Sequence, residues 1–443
     1  MRRLKQMKSR QHASLVAALS LTTLAACSER IPTSPENDVL PGAPVTIEIE
    51  VPWEEFGSAL EVYGGYGTPG DLGTGVLANA FAGSLDARTL VRFGAYPQSA
   101  SVQDTEGTTV TDTDLTVVGG RLVASIDRTD RTNDGPVTLT LGATQEAWHG
   151  RSAGWDHAVD TLGERRSWTE PGGGVVTPLD TATWDPASGD TVSFVLDSVE
   201  AAAWSDASDP DRGGRLDLVT EGHRLGVESM DLRLTVRPSV NPDTTVVLDV
   251  PRQATTFIYD PRPGPPSAGI RVGGAPAWRS VLDLEVPREL TGPAELCDAV
   301  GCPVTLSREA VSYAALVLRT RRSEEAFQPR DTVGLDVREV LSREALPKSP
   351  LGSSLIGAPG KQMPGILFRE EEGAAVEIPI TPFVRDRVGE TASGADTGRS
   401  NTLALLSTFE PLSIAYASFH GPGSSQAPAL KLVVTVGPSV ELP

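Results

Sequence analysis

Six residues within a span of 21 carry the densest chemistry in the chain: Trp148, His149, Trp155, Asp156, His157 and Trp168. Aromatic faces stack on sugar rings through C–H and π contacts, and flanking Asp and His side chains hydrogen-bond hydroxyls, so the cluster suits a glycan-binding site. The alternative is that these rings pack over a core. Asp206, Asp209 and Asp211, beside Gly213 and Gly214, offer hard oxygen ligands in a turn and make structural calcium the candidate cofactor. Asp127, Asp130 and Asp134 form a looser set. Neither has EF-hand spacing, and a solvated acidic loop is the alternative for both. For catalysis the chain offers no nucleophile elbow, metal-binding HExxH helix or phosphate loop. Carboxylate pairs can be drawn anywhere among 58 acidic residues, so a non-enzymatic protein is expected. The glycine runs at 64–67 and 172–174 read as turns.

The elements that would position these groups begin with an address. Arg2, Arg3, Lys5, Lys8 and Arg10 precede an apolar run from Ala13 to Ala26 that is too short to span a bilayer. The stretch ends in Leu24-Ala25-Ala26-Cys27 and resembles a bacterial lipoprotein signal peptide, which implies cleavage before Cys27 and lipidation of its thiol. Residues 1–26 are then the signal, and residues 27–43, polar and proline-rich, an anchor and flexible spacer. By analogy with Gram-negative lipoproteins, Ser28 in second position favours the outer membrane and leaves its face open. A lipid anchor makes the membrane the first expected partner. With Cys27 lipidated, Cys297 and Cys302 are the only thiols left, and in an oxidising envelope they are expected to form a disulfide. So small a loop adds roughly 2 kcal/mol.

Removal of residues 1–26 leaves 33 basic against 58 acidic residues, a net charge near −25. Such a surface repels phosphate backbones, which excludes nucleic acid as an expected partner. Glycans and envelope proteins remain. Scarce aromatics, abundant Gly and Pro, and Val, Thr and Leu alternating with polar residues favour many short strands.

Val45–Pro52 alternates strictly, and the pattern returns at Thr245–Pro251. Further echoes follow in order: Arg88–Pro97 with Trp278–Pro287, Val137–Leu141 with Ala315–Leu318, Val192–Leu196 with Val376–Ile380, and Leu234–Val240 with Val434–Val440. These echoes predict an internal duplication into two modules, residues 44–240 and 241–443, each a jelly-roll-like β-sandwich in an all-β protein. Helix is expected only over Val333–Leu341 and Pro382–Val388.

Asp86–Phe93, followed after a loop by Thr138–Leu141, resembles the opening of DNRLRE-type β-sandwich domains, related to carbohydrate-binding module family 96. Ile414–Phe419 with Pro428–Val434 resembles that family's end, although His420 and Gly421 stand where Arg-Glu is usual and the first module's ending is degenerate. The resemblance implies the fold and, for tryptophans in this loop, packing over the core. Function is not carried by fold alone. The leading expectation is a lipoprotein presenting sandwich modules for glycan binding; the alternative is a structural or assembly role in an envelope complex.

Overall fold

Alternating sequence becomes alternating burial. In Thr191–Leu196 the solvent-facing Thr191, Ser193 and Val195 are exposed while Val192, Phe194 and Leu196 are buried, the mark of a strand with one face on a core. A computed structural model describes residues 44–205, 212–292, 294, 297, 298, 301–393 and 400–437. Thr46–Thr435 form one compact unit; the other unit, Met1–Val45 with Val436–Pro443, falls almost wholly outside the described residues.

The strands in order are β1 (Val45–Pro52), β2 (Gly57–Tyr66), β3 (Gly75–Phe81), β4 (Leu85–Phe93), β5 (Ala100–Gln103), β6 (Thr109–Asp112) and β7 (Leu115–Arg131). Next come β8 (Val137–Thr144), β9 (His157–Asp160), β10 (Arg165–Ser167), β11 (Val176–Trp184), β12 (Thr191–Leu196), β13 (Gly214–Leu218) and β14 (His223–Pro238). The second half opens with β15 (Val246–Val250), β16 (Arg252–Asp260), β17 (Ile270–Gly273), β18 (Ala277–Leu284), β19 (Glu289–Leu290), β20 (Val304–Thr305) and β21 (Val311–Arg321). It closes with β22 (Val333–Val340), β23 (Leu351–Ser354), β24 (Lys361–Met363), β25 (Ala375–Pro379), β26 (Thr402–Ser407), β27 (Tyr416–Phe419) and β28 (Ala429–Val436). Helices α1 (Ser198–Ala203) and α2 (Thr381–Ser393) each follow a sheet-edge strand, and Asp197 with Glu200 closes a capping box on α1.

The protein is all-β, with two large antiparallel sheets. The first runs β11-β8-β13-β4-β3-β14-β7-β12, with β16 on β4 and β15 on β14; the second runs β1-β28-β21-β27-β17-β18-β26-β22-β23, with β2 on β18 and β25 on β21. Each doubles back on itself, so that the first traps Val91, Phe93, Leu122, Leu139, Phe194, Leu216 and Leu232 in a common core. In the second, Phe368 meets Phe419 edge to face at 5.4 Å between ring centres.

The pairing crosses the expected boundary at 240/241. β2 lies along β18, with Val62 opposite Ser280, and β16 lies along β4, with Thr255 opposite Val91. Likewise β15 edges β14, and β1 edges β28, where Thr46 and Thr435 hydroxyls meet at 2.9 Å. The first two strands of each half therefore complete the sheet of the other half. The strand order is otherwise alike: β13 sits between β4 and β8 as β26 sits between β18 and β22. Four of the five echoes fall at equivalent places in this order. The fifth does not, because Val137–Leu141 lies in β8, whose counterpart is β22, whereas Ala315–Leu318 lies in β21, the counterpart of β7.

Val333–Leu341 also departs from expectation. Val333–Val340 is strand, not helix: Val333, Val337 and Val340 fall at helical spacing because β22 is buried on both faces between β26 and the β23/β24 edge, and Leu341 lies just past its end, exposed. Thr381–Ser393 is helical, covering the expected Pro382–Val388. Cys297 and Cys302 are joined in a disulfide with Cα atoms 4.9 Å apart.

Candidate functional site

The six aromatic, histidine and aspartate residues do gather in one place, as a lid. Strand β4 is buried on both faces: Val91 and Phe93 point into the sandwich core, while Arg88, Leu90 and Arg92 point outward under the segment 145–174. Trp148 and Trp168 are 3% and 5% exposed and pack with Leu90, Ala158 and Ile258. Arg92 stacks on Trp148 with 4.6 Å to the ring centre and donates to its carbonyl. Arg88 stacks on the half-buried Trp155 at 5.0 Å.

The lid is pinned by its backbone. Trp168 Nε1 donates to the Gly154 carbonyl at 2.8 Å, and the Gly172 amide donates to the Trp155 carbonyl at 2.7 Å. Gly172, Gly173 and Gly174 have φ of 85°, 96° and 71°, a left-handed run that only glycine adopts without strain. It aims the Gly172 and Gly174 carbonyls at Arg88 and Arg215. His149 is exposed with Nδ1 2.9 Å from Ser152 Oγ, Asp156 is exposed and His157 half-buried. The buried rings of Trp148 and Trp168 offer no open face for stacking, and Arg88 covers one face of the half-buried Trp155.

A different region has the form of a binding site. Six segments from both halves converge on a cleft of about 310 Å³, bordered by Thr74–Val76, Asp127 and Asp130, Gly226–Glu228, the Gly273-Gly274 turn, Pro329–Gly334 and the loop Ser407–Ala415. Its floor abuts an apolar seam in which Phe81, Phe257, Tyr259, Phe327 and Tyr416 pack across the two halves. Phe327 and Tyr416 stack at 5.6 Å. Arg224 holds the seam together. Fully buried, it donates to Asp130 Oδ1 at 2.6 Å and to the Ala326 and Gln328 carbonyls at 2.9 and 3.0 Å. Asp130 also accepts from Ser413 of the opposite half at 3.2 Å. Asp127 is turned onto the Thr129 amide and hydroxyl.

The chemistry of the cleft is mixed. Asp127, Glu228 and Asp331 supply carboxylates, and Phe409 and Leu412 stand 57% and 47% exposed at its rim. Arg330 lines the same wall and makes no ion pair among the described residues. Burial, with Arg369 and Arg224 nearby, holds its pKa below the usual value despite Asp130 and Glu325. The rim loop is anchored by Glu410, whose carboxylate is clamped by Arg279 at 2.8 and 3.0 Å and accepts the Ser407 amide at 3.3 Å. Burial outweighs Arg279 and raises the Glu410 pKa. Carboxylate acceptors, a guanidinium donor and an exposed ring together suit a polar ligand with an apolar face.

Of the expected sites, Cys27 and the calcium triad Asp206, Asp209 and Asp211 lie outside the described residues. The looser acidic set is dispersed in role: Asp130 pairs with Arg224, Asp127 gives Oδ1 alone to its own turn and keeps Oδ2 toward the cleft it lines, and no group of three side chains that could hold a metal ion occurs among the described residues. No described helix is long and apolar enough to cross a membrane. Phe409, Leu412 and Arg330 escaped the sequence reading because the cleft is assembled from distant segments, none with a motif. The lid did leave a signal, in Arg88, Leu90 and Arg92 at alternate positions of a strand whose other face is apolar. No protein-family model and no curated protein matches the chain, so the likeness to DNRLRE-type domains rests on the residues quoted for it.

Proposed function

We propose that this chain is a non-catalytic binding lipoprotein of the bacterial outer membrane, tethered through Cys27, and that the cleft between its two halves takes a glycan. The observation that carries the reading is the cleft itself, with Asp127, Glu228 and Asp331 as hydroxyl acceptors, Arg330 as donor and Phe409 as an open ring at the rim. The glycan role thereby moves away from Trp148, His149, Trp155, Asp156, His157 and Trp168, a segment whose tryptophan rings serve the lid. The shared strand order supports descent of both halves from one DNRLRE-like module. A glycan array probed with the lipid-free mature protein tests the ligand class, and absence of any bound sugar contradicts it. Labelled palmitate tests the tether: incorporation is expected in the parent and absent in Cys27→Ala.

A second reading, contact with another envelope protein, is favoured by the exposure of Phe409 and Leu412 side by side at the rim. Pull-down from solubilised outer membranes separates the two, since a stoichiometric partner lost in Phe409→Ala supports the second.

A further inference from the structure

Away from the cleft, a pocket of about 230 Å³ is lined by Arg271, Arg321, Arg322, Glu324, Tyr416 and Ser418 and roofed by the proline-rich connection after β16. Three guanidinium groups face one carboxylate there, on a protein whose net charge is −20. Arg271 is the fixed member. Its side chain is 6% exposed and is held between two rings, 4.2 Å from the centre of Tyr416 and 5.1 Å from that of Trp278. It donates to the Gly264 carbonyl at 2.6 Å and to Glu324 at 3.0 Å.

A buried donor of this pocket, Arg271 Nε, lacks a hydrogen-bond partner, and the buried Tyr416 hydroxyl has Glu324 as its polar neighbour. None of the side chains that line the cleft carries such an atom. Buried donors without acceptors are costly, and a wall of donors is matched by an acceptor-rich guest. Arg321 and Arg322 are exposed at the mouth; Arg321 uses one nitrogen on the Ala268 carbonyl, and Arg322 has no ion pair among the described residues. Glu324, the partner of Arg271, is 59% exposed, so its carboxylate is within reach of solvent.

We infer that this pocket binds a small oxyanion, carboxylate or phosphate, which takes the place of the Glu324 carboxylate on Arg271 and is held at the mouth by Arg321 and Arg322. Planar guanidinium groups suit both anions because each offers paired N–H donors to paired oxygens. Glu324 is then a built-in competitor. The site shares no side chain with the proposed glycan contacts, so it stands or falls separately.

Calorimetric titration of the mature protein with inorganic phosphate and, in a separate arm, with succinate tests the inference. Saturable binding of either is expected, and which one binds identifies the source chemistry. Arg321→Ala and Arg322→Ala, both at the surface, should each weaken binding about tenfold through loss of a charge-assisted hydrogen bond, with melting temperature unchanged. Glu324→Gln should tighten it. Absence of saturable binding in both arms, or arginine variants that bind as the parent does, overturns the inference; so does a Glu324→Gln variant that binds more weakly.

Discussion

The two halves share a strand order and differ in what closes the outer face of the same strand. On β4 the closure is a long lid in which Trp148 and Trp155 stack on Arg92 and Arg88 and Trp148 and Trp168 are buried. On β18, the counterpart, it is a small apolar cluster of Val281, Val340 and Ala404 with Tyr63 and Leu346, beside a polar network in which Arg343 bridges Glu61 and Asp283. Tyr66 covers Arg279 there at 3.9 Å, as Trp148 covers Arg92. One scaffold position is thus sealed in a dry way and in a wet way. Because both solve the same packing problem, the tryptophan-rich cluster is accounted for without a ligand.

The comparison breaks most severely if the halves are independent. Expressed separately, residues 44–240 lack β15 and β16, so the inner edge of β4 loses its partner, and residues 241–443 lack β1 and β2. Each fragment is expected to be unfolded or aggregated alone, and mixing them to restore a cooperative complex, read by circular dichroism and gel filtration. Two fragments that each fold alone would contradict the exchange.

The lids sharpen the comparison next. Trp148→Ala empties a buried site and should cost about 3–5 kcal/mol in denaturant unfolding. Arg343→Ala removes ion pairs from a partly exposed arginine and should cost about 1 kcal/mol or less. Equal costs would remove the distinction between dry and wet closure.

The smallest effect concerns Glu410. Its pKa is raised in the folded chain, so the native state keeps a proton over a pH range in which the unfolded chain has lost it. Stability from this group therefore falls as pH rises from the ordinary carboxylate range through the raised value. The stability of the parent relative to Glu410→Gln, followed by urea unfolding across that range, should decline with rising pH; a flat or rising difference would contradict the buried charge.

Much of the fold was legible because its strands obey period-two burial, as in Val192, Phe194 and Leu196, and because proline closes several of them. Partner choice was not. β2 and β16 fill equivalent edges, and nothing in either sequence states which sheet each will join. Val333–Leu341 misled because a strand buried on both faces loses the alternation that identifies it. The site was less legible than the fold: Trp148, Trp155 and Trp168 are conspicuous in sequence, but what they pack on, Leu90 and Ile258 with Arg88 and Arg92 beside them, lies far from them in the chain, while Arg330, Phe409 and Asp127 become neighbours only when the two halves meet.

The central claim is that ligand recognition belongs to the cleft and not to the lid. Binding of the array-selected glycan should be compared directly for the parent, Phe409→Ala and Trp155→Ala, with folding checked by melting temperature. The account predicts that Phe409→Ala lowers affinity by about tenfold through loss of an aromatic contact, while Trp155→Ala binds as the parent does. Retained binding in Phe409→Ala with loss in a folded Trp155→Ala would contradict it and return the glycan to the lid.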